Sequence, residues 1–381
     1  MQNSFFQWWR APRKVTHQIR DRKISWLELF SDLAYVAIIH LITVNFATHW
    51  TLSGVMTFTL AFMLIFNSWL NIAWYYDLHG DDSLRTTVLL LSQVLAISLV
   101  AVFLPAIFIN HWTGFLWTYL VVQTLITYIW WSTGHFDPDH RVTSWPYVRY
   151  YCGAGILLII AIIVANPTVS VAILWSVFII DFGTPFFTRR RFDRESIKRQ
   201  LPFEISASLL ERFGQFTMII LGEALADLID HGIEETTMKT ILLFCISLLF
   251  VVAIWWLYYM LMDNLHIHGH SYLPLLLFRL LHTLWLFVLT GLIFSLSYLP
   301  EPHHSGIQIW FSIFAVMTFL LLQGLANWNN WQLKSAKALL WQGGVLMCLL
   351  IGAKLAPIGQ IGLSTLGLLV YILSREPQLH Q

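Results

Sequence analysis

The chain is built from apolar runs that are each about as long as the hydrocarbon layer of a membrane is thick. A helix needs about 20 mostly apolar residues to cross that layer. Because backbone polar groups in lipid must be satisfied within the segment itself, helices are favoured for such runs. Suitable runs lie near residues 26–48, 52–76, 86–109, 112–132, 148–165, 168–188, 205–229, 238–262, 272–298, 306–327, 336–353 and 357–374. We therefore predict an all-α, polytopic membrane helix bundle with about twelve transmembrane helices.

Composition favours the same class of protein. Of the 381 residues, 57% are hydrophobic and 11% are charged, whereas soluble domains carry about 25% charged residues. The 19 tryptophans and 13 tyrosines suit the two membrane–water interfaces. The net charge is +1, and no basic block is interleaved with aromatic residues, so nucleic acid is not a predicted partner. The predicted partner is the lipid bilayer.

Motifs of common enzymes are absent from the sequence. The chain contains no GxxxxGK[ST], GxGxxG, HExxH or GxSxG. We therefore expect no enzyme activity, no catalytic residue and no cofactor. The alternating His266, His268 and His270 offer imidazoles, which suit divalent metals, but their loop has no regular period to fix a ligand geometry. We predict a solvated loop there and no metal site.

Lysine and arginine are distributed unevenly between the two sides of the predicted helices. If the N-terminus is cytoplasmic, the outer segments hold only Lys239 and Lys354, while Arg212 and Arg279 lie within helices. The rest of the 22 lysines and arginines then fall on the cytoplasmic side. Because cytoplasmic loops are rich in these residues, we predict a multi-pass protein with both termini cytoplasmic.

The chain is predicted to consist of two six-helix halves. A cationic run, TRRRFDRESIKRQ at 188–200, lies midway along it. An offset of 183 residues aligns Glu28-Leu29-Phe30 with Glu211-Arg212-Phe213, and Tyr75-Tyr76 with Tyr258-Tyr259. An even number of helices per half implies repeats of parallel topology. The predicted organisation is a cytoplasmic N-terminal segment 1–25, a first half 26–188, a basic cytoplasmic linker 189–204, a second half 205–374 and a cytoplasmic tail 375–381.

Charged residues inside the predicted helices are the candidate functional residues. Glu28, Asp32 and Tyr35 form one stripe on the first helix, since residues three and four apart share a helix face. Glu28 is expected at the cytoplasmic interface, with Asp32 about 6 Å deeper by the helix rise. In the seventh predicted helix, Glu211 and Arg212 are expected at a similar depth. Glu223 follows about three turns later on the face of Arg212.

Two interpretations of these charges are open. Intramembrane charges are rare and usually pair within the bundle, so we expect Asp32, with Glu28 beside it, to meet Arg212. The carboxylates outnumber this arginine, and burial raises carboxyl pKa values towards neutrality, as a site for protons or cations requires. The alternative is a closed ion-pair network that only fixes helix packing.

Two further carboxylates lie in or beside predicted helices. Asp77 ends a polar face of the second helix that also carries Asn67, Asn71 and Trp74. This face could extend a polar pathway towards the cytoplasm, or it could supply hydrogen bonds between helices. Asp181 precedes Phe182-Gly183-Thr184-Pro185, where a helix end could unwind and expose carbonyl groups to an ion. A plain helix end is the other interpretation.

Three blocks of the sequence resemble one known family. Glu28-Leu29-Phe30-Ser31-Asp32-Leu33, Glu211-Arg212-Phe213-Gly214 and Leu221-Gly222-Glu223 resemble, in order and spacing, blocks of the bacterial low-temperature-requirement protein A (LtrA) family. The resemblance covers most of the chain and is clearest over 24–260. It implies a multi-pass protein of the bacterial cytoplasmic (inner) membrane, tied by name to growth in the cold. It implies no settled biochemical activity.

The function that we predict from these residues is secondary transport or channel conduction of a small cation or protons. Asp32 and Glu223 would be the exchangeable carboxylates, with Arg212 as their internal counter-charge. The alternative is a non-transporting structural or sensory membrane protein that supports growth at low temperature.

Overall fold

A computed structural model describes residues 9–18, 22–81, 83–233, 237–263, 265, 267–299, 306–328 and 336–375 of the chain. For 231–233, 327–328, 336–339 and 375 it describes the backbone alone. The described residues form thirteen α-helices and one pair of two-residue strands. The all-α prediction is confirmed.

The helices follow one another with short connections. Their bounds are α1 Trp26–Ala47, α2 Leu52–His79, α3 Leu84–Val102, α4 Leu104–Phe108, α5 Thr113–Phe136, α6 Arg141–Val164, α7 Pro167–Arg199, α8 Ala207–Ile233, α9 Met238–Met262, α10 Leu273–Ser297, α11 Ile307–Trp328, α12 Ala336–Gly352 and α13 Pro357–Arg375. The strands are β1 Phe203–Glu204 and β2 His268–Gly269, which pair antiparallel.

Nine of the described helices are long and apolar enough to cross a membrane. These are α1, α2, α3, α6, α7, α9, α10, α11 and α13. Many large apolar side chains on their surfaces are exposed, such as Leu95, Ile163 and Ile179. An exposed apolar surface of this kind suits lipid and not water. The chain is therefore a membrane protein with a helical bundle.

The basic segment after the sixth predicted helix is not a linker over most of its length. The predicted linker covered 189–204, but α7 continues to Arg199. Ion pairs at i, i+4 join Arg189 to Asp193 (3.7 Å) and Glu195 to Arg199 (3.3 Å), and such pairs stabilise helices. The polar end of α7 thus extends the helix beyond its apolar part.

Neither an unwound nor a plain helix end is found near Pro185, because α7 is continuous through this proline. A proline inside a helix removes one backbone hydrogen bond. The hydroxyl groups of Thr184 and Thr188 donate to the carbonyls of Ile180 and Thr184, at 2.7 and 2.8 Å. Asp181 therefore lies inside an intact helix and not at an unwound end.

The described chain divides into two compact units. The first holds Met1–Phe213 and His268–Leu277, and the second holds Gly214–Ile267 and Phe278–Gln381. The first boundary falls within α8, whereas the sequence predicted it in the linker before this helix. The strand pair joins Phe203 to Gly269 and Glu204 to His268, which explains why residues 268–277 belong to the first unit.

Helix α2 forms the core of the first unit. Almost every residue from Leu60 to His79 is buried, and α2 packs against α1, α5 and α7. A helix that is apolar on all sides belongs inside a bundle. The polar side chains of α2 consequently point at neighbouring helices, where they position the candidate site.

The second unit is held together by α9, α11, α12 and α13, which pack on one another. Its buried polar groups form contacts between helices. The Gln360 amide donates to Ser312 Oγ at 2.9 Å, and the Tyr371 hydroxyl donates to Gln323 Oε1 at 2.9 Å. Such bonds fix the helix packing within this unit.

Candidate functional site

The candidate site lies in the first unit, at the start of α1. Ser25 caps this helix: its hydroxyl accepts from the Glu28 amide at 3.2 Å, and its own amide donates to Glu28 Oε2 at 3.1 Å. The S-x-x-E sequence explains this reciprocal cap. It fixes Glu28 in the first turn and thereby sets Asp32 one turn further along the same face.

Asp32 and Arg212 form a buried, bidentate ion pair. Arg212 Nε donates to Asp32 Oδ2 at 3.0 Å, and Arg212 Nη2 donates to Asp32 Oδ1 at 2.5 Å. The side chains are 0% and 1% exposed, respectively. Two parallel bonds match the planar guanidinium to the carboxylate. The pair joins two parts of the chain that lie 180 residues apart.

Trp69 of α2 completes the surroundings of Asp32. Its indole nitrogen donates to Asp32 Oδ1 at 2.7 Å. The Arg212 guanidinium carbon lies 5.8 Å from the Trp69 ring centroid, which is within cation–π range. Phe213 meets the same ring edge-on at 5.4 Å. Trp69 thus contacts both charges and excludes solvent from them.

A second ion pair borders the first. Arg22 donates two hydrogen bonds to Glu28, at 2.7 and 2.6 Å, and Arg212 Nη1 reaches Glu28 Oε1 at 3.4 Å. Burial lowers the pKa of Arg22, but the bonds to Glu28 outweigh burial and raise that pKa above its ordinary value. Two guanidinium groups and two carboxylates therefore form one network.

This network corrects the predicted surplus of negative charge. The sequence analysis set several carboxylates against Arg212 alone, whereas the structure adds Arg22 as a second cation. Glu211 lies at the surface, although it precedes the buried Arg212. Neighbouring residues on a helix point about 100° apart, so only one of them can face the pair. The charges of Glu28, Asp32, Arg22 and Arg212 thus cancel.

Asp77 lies near the C-terminal end of α2, close to this network. Its carboxylate accepts hydrogen bonds from Ser206, from Ser208 at 3.1 Å and from the Gln18 amide at 2.8 Å. Arg13 also donates to the Asp77 carbonyl at 3.0 Å. Asp77 therefore ties the segment before α1 and the start of α8 to the end of α2.

Tyr35 and its partners form a separate polar cluster, deeper along α1. The Ser68 hydroxyl and the Gln93 amide approach the Tyr35 hydroxyl at 3.2 and 3.5 Å. Tyr35 is fully buried. Glu28, Asp32 and Tyr35 all lie on α1 at the predicted spacing. Tyr35, however, contacts α2 and α3 and not the charge network.

Asp181 belongs to a third polar cluster in the same unit. The Gln123 amide donates to Asp181 Oδ1 at 3.1 Å and approaches the Tyr151 carbonyl at 3.4 Å. The Tyr151 hydroxyl donates to Asn71 Oδ1 at 2.6 Å. Asn71 was predicted on the polar face of α2, and here it joins α2 to α6.

Glu223 and the histidine loop lie outside this arrangement. Glu223 is half-buried on the part of α8 that belongs to the second unit. In the histidine loop, His268 and His270 are exposed, and His266 lies outside the described residues. Four residues that contact the site were not among the predicted ones: Arg22, Trp69, Ser206 and Ser208. Only the S-x-x-E cap could have indicated a structured Glu28; nothing in the sequence indicated the other contacts.

Comparison with known proteins identifies the family. A family model described as bacterial low temperature requirement A protein (LtrA) matches residues 23–373, nearly the whole chain. The chain belongs to the LtrA family. No curated protein matches it. The matched region of this LtrA protein contains both members of the Asp32–Arg212 pair, so the recognition made from its three sequence blocks is confirmed.

Proposed function

We propose that this LtrA protein is a secondary transporter or channel for protons or a small cation, and that the Asp32–Arg212 pair is its charge lock. The observation that carries the proposal is a carboxylate–guanidinium pair buried within a membrane bundle. Charges in this environment are expensive, and they mark ion pathways and proton relays.

The polar clusters along α2 support a pathway. Trp69 contacts Asp32, Ser68 contacts Tyr35, and Asn71 contacts Tyr151. Three residues close together on the buried helix α2 thus form hydrogen bonds with polar side chains of two other helices, α1 and α6. An apolar core would suffice for packing, so a succession of hydroxyl and amide groups suits proton or cation passage.

Asp32 acts in this proposal through its pairing. While it is ionised, both of its oxygens hold Arg212, so it is a poor carrier. Protonation of Asp32 would remove the Coulombic attraction and free the guanidinium, which is a discrete change that proton binding can drive. Asp181 in the first unit and Glu223 in the second unit are the proposed exchangeable carboxylates. Asp181 thereby takes part of the role first predicted for Asp32.

Flux measurements on reconstituted protein test this proposal. Vesicles with a trapped pH-sensitive dye should show proton or cation movement with the wild type. Asp32→Asn and Asp181→Asn should each reduce it at least tenfold. Asp263→Asn, at an exposed position after α9, should leave it unchanged. Absence of flux for protons, Na⁺ and K⁺ with folded wild-type protein would refute the proposal.

A structural or sensory role is the second candidate, and the neutrality of the four-charge network favours it. A closed network with every carboxylate hydrogen-bonded can serve packing alone. This candidate predicts no flux with the wild type, together with lost folding stability in Arg212→Gln.

The number of spans and their orientation also form part of the proposal. Helices α5, α8 and α12, of 24, 27 and 17 residues, would bring the total to twelve, as two six-helix repeats. The protein would then span the bacterial inner membrane with both termini on the cytoplasmic side. Reporter tags fused after residue 381 and after residue 299 should report opposite sides. Identical sides would refute this topology.

A further inference from the structure

Two buried histidines come together at the cytoplasmic end of the first unit, away from the charge lock. His79 ends α2, and His140 precedes α6. Their side chains are 2% and 0% exposed, and their ring centroids lie 5.2 Å apart. We call these two residues the histidine pair. Neither was a candidate in the sequence analysis, which considered only the loop at 266–270.

The Nδ1 atom of each ring is engaged by an oxygen that accepts hydrogen bonds. His79 Nδ1 lies 2.8 Å from the Arg13 carbonyl oxygen. His140 Nδ1 lies 2.9 and 3.1 Å from the two Glu195 carboxylate oxygens. Since these oxygens accept, each Nδ1 carries the proton. The Nε2 atom of each ring is then the one available to a further ligand.

Neither Nε2 atom has a hydrogen-bond partner in the part of the chain that the structure describes. Both atoms are shielded from solvent, and a buried polar atom left without a partner costs about 1–3 kcal/mol. Ser144 Oγ, one turn after His140, is likewise buried and has no partner among the described residues. Two buried ring nitrogens without a partner, on rings whose centroids are 5.2 Å apart, indicate a ligand that both rings can bind.

The orientation of these rings is the one found at metal sites. A histidine ligand almost always donates its other ring N–H to a carboxylate or a backbone carbonyl, which are the two acceptors observed here. Two imidazoles that share a tetrahedral ion at about 2.0–2.1 Å have centroids about 5 Å apart. The observed 5.2 Å agrees with this value.

We propose that the histidine pair binds one divalent transition-metal ion through His79 Nε2 and His140 Nε2. Imidazole nitrogen favours Zn²⁺, Cu²⁺ or Ni²⁺ over Mg²⁺ and Ca²⁺. Glu195 supplies a negative charge behind His140 and is itself held by Thr143 and Arg199.

Bound metal would connect four segments at this end of the first unit. Arg13 lies in the segment before α1, His79 closes α2, His140 opens α6 and Glu195 lies near the end of α7. A metal would thus stabilise the cytoplasmic ends of these helices. The site does not depend on the proposed transport, because none of its residues belongs to the charge lock.

Zinc binding to the purified full-length protein in detergent tests the site. The protein is stripped with a chelator, desalted and titrated with Zn²⁺ in competition with a chromophoric chelator. We expect one Zn²⁺ per chain. His79→Ala and His140→Ala should each weaken binding at least 100-fold, and Glu195→Gln should weaken it about 10–100-fold. Zn²⁺ should also raise the apparent Tm of the wild type.

The control is the double variant His268→Ala/His270→Ala, which removes exposed imidazoles and should bind Zn²⁺ like the wild type. Loss of binding in this control would assign the metal to the loop and overturn the proposal. Absence of Zn²⁺, Cu²⁺ and Ni²⁺ binding by the wild type would overturn it too, leaving a water molecule as the partner of the pair. These wild-type results decide the matter even if a histidine variant fails to fold.

Discussion

Replacing Arg212 by glutamine removes the cation from a pair whose carboxylate is fully buried. In the variant, Asp32 keeps the hydrogen bond from the Trp69 indole. It loses the two hydrogen bonds that Arg212 Nε and Nη2 donate to its carboxylate. A buried charge without its counter-ion is strongly unfavourable. We therefore expect Arg212→Gln to destabilise the first unit more than a change at any other arginine of the network.

The size of the effect follows from the bonds that are lost. Hydrogen bonds to charged groups are worth about 1.5–3 kcal/mol each, and Arg212 makes two to Asp32. Removing one member of a buried pair costs about 3–5 kcal/mol. We expect the free energy of unfolding to fall by about 3–5 kcal/mol, since Trp69 continues to satisfy part of the carboxylate.

Arg22→Gln is the matched control, because it removes an equivalent bidentate bond from a more solvated position. The Arg22 side chain is 17% exposed, against 1% for Arg212. Solvent screens such a pair, so we expect a loss of about 1 kcal/mol. The double variant Asp32→Asn/Arg212→Gln should recover about 1–3 kcal/mol relative to the sum of the single changes.

Reversible unfolding in mixed micelles, followed by tryptophan fluorescence, measures these free energies. Equal losses for Arg212→Gln and Arg22→Gln would contradict the assigned burial. Strict additivity in the double variant would contradict the pairing of Asp32 with Arg212.

Two further predictions concern the α5–α6 region and the loop beyond α5. A Cβ on Gly134 would lie 2.2 Å from Ser144 Oγ, so Gly134→Ala should lower the free energy of unfolding by about 1–3 kcal/mol. Gly153 has open space around it, so Gly153→Ala should not lower this free energy in the same unfolding experiment. Burial raises the pKa of Asp137, but the bond and ion pair with Arg199 outweigh burial and leave that pKa below its ordinary value. Because a depressed pKa stabilises the fold above the unfolded value of 3.8, the difference in apparent Tm between wild type and Asp137→Asn should be full at neutral pH. It should decline as the pH falls below about 4 and vanish only below the depressed pKa of the native state. A difference that grows on acidification would contradict this sign.

Much of the fold could be predicted from patterns local to each segment. The apolar runs predicted the helices, and Ser25, Thr51 and Asn166 cap helix starts at positions that sequence rules favour. The end of α7 could not be predicted in this way. Its arginines resemble a solvated linker, whereas the i, i+4 ion pairs of this stretch and the contacts of Glu195 with His140 and Thr143 stabilise it as a helix.

The candidate site was predicted in part. Asp32, Glu28 and Arg212 could be selected because a charge inside an apolar run requires a partner, whichever partner that is. The choice among partners could not be read from the sequence: Arg22 lies six residues before Glu28, in a segment without periodicity. Glu211 and Arg212 are adjacent and both charged, yet Glu211 lies at the surface and Arg212 faces Asp32.

The sequence by itself determined that this chain is a helical membrane protein, because segment length and hydropathy act within each helix, and its three sequence blocks identified the LtrA family. It also determined which residues are costly to bury. Only the tertiary structure decided which cation meets each carboxylate, and that His79 meets His140. These pairings depend on helix rotation and on contacts between residues as many as 184 positions apart, which no local pattern records.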